Sequence, residues 1–142
     1  MANRKHILVA SLLFLVISGC TGSNVIRQSE IDSLNKTVFI TDNSTPLATA
    51  VIAELESKGW VTTGPSDQIK EGGGQGSANT KTARYTLNMS SYWTDICFPS
   101  FQAMLEYSLV LIDNDTGKTV ITMGGRDCSG YIVEKVGKAL AE

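Results

Sequence analysis

Apolar residues recur along this chain with two different periods, which separate its predicted helices from its predicted strands. Between Leu47 and Leu55 they lie four positions apart, so one face of a helix is expected to be buried. Apolar and polar residues instead alternate along 83–93 and 101–112, which predicts strands with one buried face. Clustered β-branched residues predict another strand at 36–41.

Capping and turn residues mark where the predicted elements begin and end. Thr45 followed by Pro46 is a strong helix start, and Gly59 is suited to end that helix. Gly117 is expected to adopt a positive φ in a hairpin turn, and Ser129 to begin a last helix. The predicted buried residues are Trp60 and, on the last helix, Tyr131, Ile132, Val133, Val136 and Leu140.

These elements follow the order β-α-β-loop-β-β-β-α. Short connections around the first helix favour two parallel strands, whereas the later strands are expected to form hairpins. The pattern therefore predicts an α+β fold in which two helices pack on one face of a mixed sheet of four to five strands.

The first twenty residues have the layout of a secretory signal peptide. A short basic segment ends at His6, and an apolar run extends from Ile7 to Ile17, too short for the roughly twenty residues of a membrane-spanning helix. The closing Ile-Ser-Gly-Cys resembles the bacterial lipobox, which implies that Cys20 is lipidated (a palmitate-type acyl modification) and becomes the first mature residue. An ordinary signal peptide with a chance cysteine is the alternative.

The chain is thereby divided into three expected regions. Residues 1–19 are the lipoprotein signal peptide, 20–35 a lipidated tether, and 36–142 a single periplasmic α+β domain, within which the Gly-rich segment 64–82 is expected to be a mobile loop. Thr follows Cys20, where an Asp would resemble the inner-membrane retention signal of lipoproteins. The resemblance implies lipid anchoring at the periplasmic face of the outer membrane.

Composition narrows the classes of function. Signal cleavage removes Arg4 and Lys5, so the mature chain is more negative than the −2 of the whole sequence. Without a basic cluster, nucleic acid is not an expected partner. The one histidine is His6, which leaves the mature chain without Ser-His-Asp or Cys-His catalysis and without imidazole metal ligands. No cofactor or metal site is predicted.

Two cysteines remain in the mature domain. In an exported chain, Cys97 and Cys128 are expected to form a disulfide. Two free buried thiols are the alternative.

A family resemblance appears in the order of motifs. Asn43-Ser44-Thr45-Pro46 follows one strand, and Asp115-Thr116-Gly117-Lys118 follows a strand that ends in Asp113. This arrangement resembles the periplasmic domains of the penicillin-binding-protein activator LpoB, the curli secretion lipoprotein CsgG and the N-terminal domain of TolB. The resemblance implies an envelope protein, although the returning strand 119–123 lacks the usual Trp.

Few residues are candidates for a site. Asp113, Asp115 and Asp127 are interpreted as turn and structural acids rather than a calcium or catalytic cluster, because Asp caps its own turns. Arg126 is interpreted as a solvated charge rather than an anion ligand. The aromatics around Cys97 are either a partner-contact patch or packing at the end of the sheet, and packing is favoured; they are Tyr92, Trp93, Phe98 and Phe101.

The sequence thus predicts an outer-membrane lipoprotein that acts as a non-catalytic binding or assembly module for an envelope protein complex. The expected partners are the membrane, through the lipid, and an envelope protein. A carboxylate-dependent glycan hydrolase and a small-ligand-binding lipoprotein are the alternatives.

Overall fold

The computed structural model describes residues 22–65 and 83–141. They form six strands and two helices. The expected mobile loop lies almost wholly outside the described residues, as does the signal peptide. The strands are β1 Ser23–Arg27, β2 Thr37–Ile40, β3 Val61–Thr63, β4 Tyr85–Cys97, β5 Gln102–Asp113 and β6 Thr119–Cys128, and the helices are α1 Pro46–Ser57 and α2 Ser129–Ala141.

One mixed sheet joins all six strands in the order β1-β6-β5-β4-β2-β3. β2 runs parallel to β3 and β4, and the remaining neighbours are antiparallel. The α+β class and the mixed sheet are confirmed, but the predicted count of four to five strands is too low. The additional strand is β1, which lies inside the segment 20–35 that was expected to be a tether.

Both helices pack on one face of the sheet. The core joins their apolar stripes to residues of β2, β4, β5 and β6 that alternate along the strands. Ile132, Val136 and Leu140 form the buried stripe of α2, whereas Tyr131 is exposed. The prediction that Tyr131 is buried was wrong. The buried residues of α2 recur every four positions from Ile132, and Tyr131 therefore lies on the solvent-exposed side of the helix.

The local signals lie where the sequence predicted them. The Thr45 hydroxyl accepts a hydrogen bond from the Ala48 backbone N–H at 3.1 Å, which caps α1. Gly59 and Gly117 both have positive φ, at 82° and 68°, and Trp60 is buried. Of the two helices within residues 22–65 and 83–141, neither has the length and apolar character needed to cross a membrane.

Candidate functional site

An open groove of about 570 Å³ lies at the end of the molecule where both helices begin. α1 and α2 contribute their first turns, and β4 and β5 form the floor. The lining residues are Thr45, Pro46, Leu47, Ala50, Ser91, Tyr92, Trp93, Gln102, Ala103, Leu105, Ser129, Gly130 and Val133.

The groove exists because the hairpin of β4 and β5 is longer than the helix layer that covers it. α1 can begin only at Pro46, after its Thr45 cap, and α2 begins only at Ser129, after β6 ends. β4 was expected to end at Trp93, but it continues to Cys97 through a bulge between Trp93 and Asp95. The strand ends therefore extend past the helices.

The groove has an apolar character and no charged lining. None of the residues that line it is Asp, Glu, Lys, Arg or Cys. Two of its polar groups are already engaged in the fold: Thr45 caps α1, and the Gln102 side chain accepts a hydrogen bond from the Gly130 N–H at 3.1 Å. Such a surface can bind an apolar group, but it offers no acid–base pair.

A disulfide holds the hairpin against the start of α2. Cys97 and Cys128 are bonded, with their Cα atoms 6.0 Å apart, as the sequence predicted. Cys97 ends β4 and Cys128 ends β6, immediately before α2. The bond therefore fixes the floor of the groove relative to the start of α2.

The four candidate aromatics are exposed at the end of this hairpin, so the favoured prediction that they pack against the sheet was wrong. The exposed fractions are 58% for Tyr92, 64% for Trp93, 85% for Phe98 and 75% for Phe101. The Phe98 and Phe101 rings contact each other edge to face, with centroids 5.9 Å apart.

Successive strand residues point to opposite faces, which separates two of these aromatics. Trp93 pairs with Leu105 on the helix-covered face, and Tyr92 pairs with Glu106 on the open face. A hydrogen bond with Glu106, assisted by burial and the Glu106 charge, raises the pKa of the Tyr92 hydroxyl.

The sequence did not predict the exposure of two further residues at this end: Ile96 was not singled out, and Tyr131 was expected to be buried. Ile96 and Tyr131 are both more than half exposed. The bulge interrupts the alternation of apolar and polar residues before Ile96, which hides Ile96 in the sequence. If the apolar stripe of α2 is counted from Ile132 in steps of four, Tyr131 falls on the solvent-exposed side of the helix.

Asp113 and Asp115 lie at the other end of the hairpin strands from the groove and are ion-paired. Arg84 bonds the Asp113 carboxylate at 2.8 Å and also contacts Asp115. Burial raises the pKa of Asp113, but the Asp115 backbone N–H and the Arg84 charge outweigh this and hold its pKa below the ordinary value. The Asp115 N–H donates to the Asp113 carboxylate at 2.9 Å, so Asp113 caps this turn, as predicted.

The remaining charged candidates are also engaged within the fold. Lys135 donates to the buried Asp127 carboxylate and to the Ser23 hydroxyl, which ties β1 to α2. Arg126 is exposed and donates through Nε to the Thr94 hydroxyl at 3.1 Å. Within the described ranges, no three His, Cys, Asp or Glu side chains are grouped as metal ligands would be.

Comparison with known proteins identifies a fold but no family. No protein-family model matches the chain, and no curated protein matches it. Among solved structures, the chain is similar to the PelC dodecamer from Paraburkholderia phytofirmans, with a TM-score of 0.55 and 17% identity over 84% of this chain and 96% of that one. A single-substitution variant of the same dodecamer gives a TM-score of 0.55 at 15% identity, with the same coverage. The described domain therefore has the fold of a PelC subunit over nearly the whole length of that subunit.

Proposed function

We propose that this protein is an outer-membrane lipoprotein, anchored through Cys20, that acts as a non-catalytic binding module in an envelope protein assembly. The observation that carries the proposal is the open groove, which presents an apolar surface without an acid or base. An uncovered apolar groove fixed by a disulfide is suited to receiving an apolar segment of a partner.

The fold comparison supports the assembly part of the proposal. The PelC structures that this chain resembles are dodecamers, so the fold occurs there as a subunit of an assembly. Homo-oligomers are the commonest assemblies of soluble domains, and we include a second copy of this chain among the partners that the groove would take.

Filling the groove tests the proposal. Ala50 is exposed and lines the groove, whereas Ala53 is exposed on the same helix outside the lining. In cells crosslinked at the envelope, Ala50→Trp is expected to abolish the adduct of the lipoprotein, and Ala53→Trp to retain it. Light scattering of the purified protein shows whether the lost partner was a second copy.

An adduct that survives Ala50→Trp would contradict the groove as the contact surface. A turnover that disappears with alanine at one carboxylate, such as Asp127, would contradict the non-catalytic role and favour the hydrolase.

A small apolar ligand is a second candidate, and the groove volume favours it. About 570 Å³ lies within the range of about 300–1,000 Å³ that is typical of small-molecule sites. Native mass spectrometry of protein from envelopes should then show a bound molecule in the wild type and in Ala53→Trp but not in Ala50→Trp.

A further inference from the structure

The β4–β5 hairpin ends in an exposed apolar tip. The tip consists of Ile96, the turn residues Phe98 and Phe101, and the adjacent Trp93. Asp95 is the one charged residue from Trp93 to Gln102, and none occurs from Ile96 onward. An exposed cluster of this kind on a soluble domain usually marks a surface that another phase or molecule covers.

The backbone of the tip holds Phe101 in a conformation that is unusual for a bulky residue, in a turn closed by the hydrogen bond from its N–H to the Cys97 carbonyl at 2.7 Å. Phe101 has a φ of 57°, in the left-handed region that bulky residues rarely occupy. The side chain is largely exposed, so burial in the core does not compensate for this conformation. Strained positions of this kind are concentrated at functional surfaces.

β1 enters the sheet from the direction of the hairpin tip. Ser23 pairs with Gly125, three residues before Cys128, and β1 runs antiparallel to β6. The first residue of β1 is therefore the one nearest the hairpin tip, and Cys20 is three residues before it. Lipid on Cys20 would thus be attached beside the tip rather than at the opposite end.

The distances along the strands agree with this arrangement. Ser23 is level with Tyr107 through Gly125, and the hairpin continues from there to Gln102, roughly 17 Å further at about 3.3 Å per residue. The three residues from Ser23 back to Cys20 reach about 10 Å when extended. The tip then lies on the order of 7 Å beyond the anchor, and interfacial segments insert to about 5–10 Å.

We infer that the hairpin tip docks into the phospholipid surface that carries the lipid anchor and so fixes the orientation of the domain on the membrane. The inference rests on the proposed lipidation of Cys20. Aromatic side chains partition to the headgroup region, and acyl anchoring combined with a second apolar contact gives a stable, oriented attachment. The short connection from Cys20 to β1 leaves little room for a protein between the tip and the membrane.

The two tryptophans allow a direct test with the lipidated full chain. Trp93 borders the tip, whereas Trp60 is buried against Tyr85 at the other end of β4. The protein is reconstituted in phosphatidylethanolamine–phosphatidylglycerol vesicles that contain acyl-brominated lipid. The Trp93 contribution is the difference between the fluorescence of the wild type and that of Trp93→Phe, in which only Trp60 emits. Brominated lipid is expected to quench the Trp93 contribution severalfold more than the Trp60 fluorescence.

Surface variants separate docking from anchoring. Phe98→Ser with Phe101→Asn, an amide that tolerates the left-handed conformation, should reduce the quenching of Trp93 severalfold while the protein stays on the vesicles. Leu34→Ser is the matched control, because Leu34 is exposed at the opposite end and its loss should change nothing. Circular dichroism verifies that each variant is folded.

Each other outcome overturns the inference in a recognisable way. If lipidated protein is bound to vesicles but Trp93 is not quenched, the docking of the tip is contradicted and the lipid anchoring is retained. If mass spectrometry shows that Cys20 carries no lipid, both the anchoring and the docking are contradicted. If Trp93 is shielded even in detergent, and the shielding increases with protein concentration, the tip contacts a second copy of the chain instead of the membrane.

Discussion

The two ends of the sheet use aromatic residues in opposite ways. At the end where β4 begins, Trp60 and Tyr85 are buried edge to face, with ring centroids 5.7 Å apart. The Trp60 indole N–H donates to the Leu140 carbonyl at 3.2 Å, and the Tyr85 hydroxyl accepts from the Asp32 N–H at 2.8 Å. At the hairpin end, Trp93 and the phenylalanines are exposed.

Folding therefore explains one set of aromatics and not the other. Buried rings with satisfied polar atoms stabilise a core, whereas exposed rings contribute little to the stability of an isolated domain. The ends are also closed differently, by the Arg84 ion pairs at one and by a disulfide at the other. Stability is thus expected to depend on the first set and surface interaction on the second.

The largest change in stability is expected from a substitution at the buried end. Trp60→Ala should lower the free energy of unfolding by about 3–5 kcal/mol, because it removes a core ring and leaves a cavity. Trp93→Ala, its counterpart at the exposed end, should change it by no more than about 0.5 kcal/mol. Urea denaturation followed by circular dichroism measures both. Equal losses would mean that the exposed end also carries core stability.

Loss of the disulfide is expected to be nearly as large. Cys97→Ser combined with Cys128→Ser removes a link across 31 residues, for which the chain-entropy model gives about 3–4 kcal/mol. For a domain of this size, the melting temperature should fall by roughly 10–20 °C. Calorimetry of the double variant, beside wild type with and without reductant, checks this. An unchanged melting temperature in both comparisons would show that the hairpin end is held by packing alone.

A smaller effect is expected where β1 joins the sheet. A Cβ on Gly125 would lie 2.3 Å from the Gly22 carbonyl oxygen, and its φ of 140° disfavours other residues. Gly125→Ala should therefore lower the free energy of unfolding by about 1–3 kcal/mol and displace β1. Hydrogen exchange should accelerate in residues 24–27 but not in β4.

Gly22→Ala is the control for this substitution, because nothing lies within 4 Å of its added Cβ. Similar exchange in both variants would argue against a close approach of β1 to Gly125.

The smallest expected effect concerns the ion pair at the buried end. Because the pKa of Asp113 is held below its ordinary value of 3.8, its contribution is present above that pH and is lost as the pH falls through the folded pKa. Asp113→Asn should be about 1 kcal/mol less stable than wild type at pH 7, with a difference that shrinks below about pH 4. Urea titrations from pH 2 to pH 7 follow it, with Asp95→Asn as an exposed control. A difference that does not depend on pH would assign the loss to packing.

Local rules made much of the fold readable from the sequence. The Thr45 cap, the turn at Gly117, the alternating strands and the cysteine pair each depend on residues within a few positions or on a single covalent bond. The candidate aromatics were also identified, although not their exposure. Such features follow from capping, periodicity and oxidation, which the sequence itself displays.

Only the tertiary structure decided the rest. β1 has little strand signal of its own, and it pairs because the absence of a side chain at Gly125 lets it approach β6, about a hundred residues away in sequence. Phe98 and Phe101 are exposed because the pairing of β4 with β5 continues past the bulge to Cys97, beyond the helices. An aromatic residue has the same hydrophobicity in a core and at a tip, so only the relative lengths of packed elements determine whether it is covered.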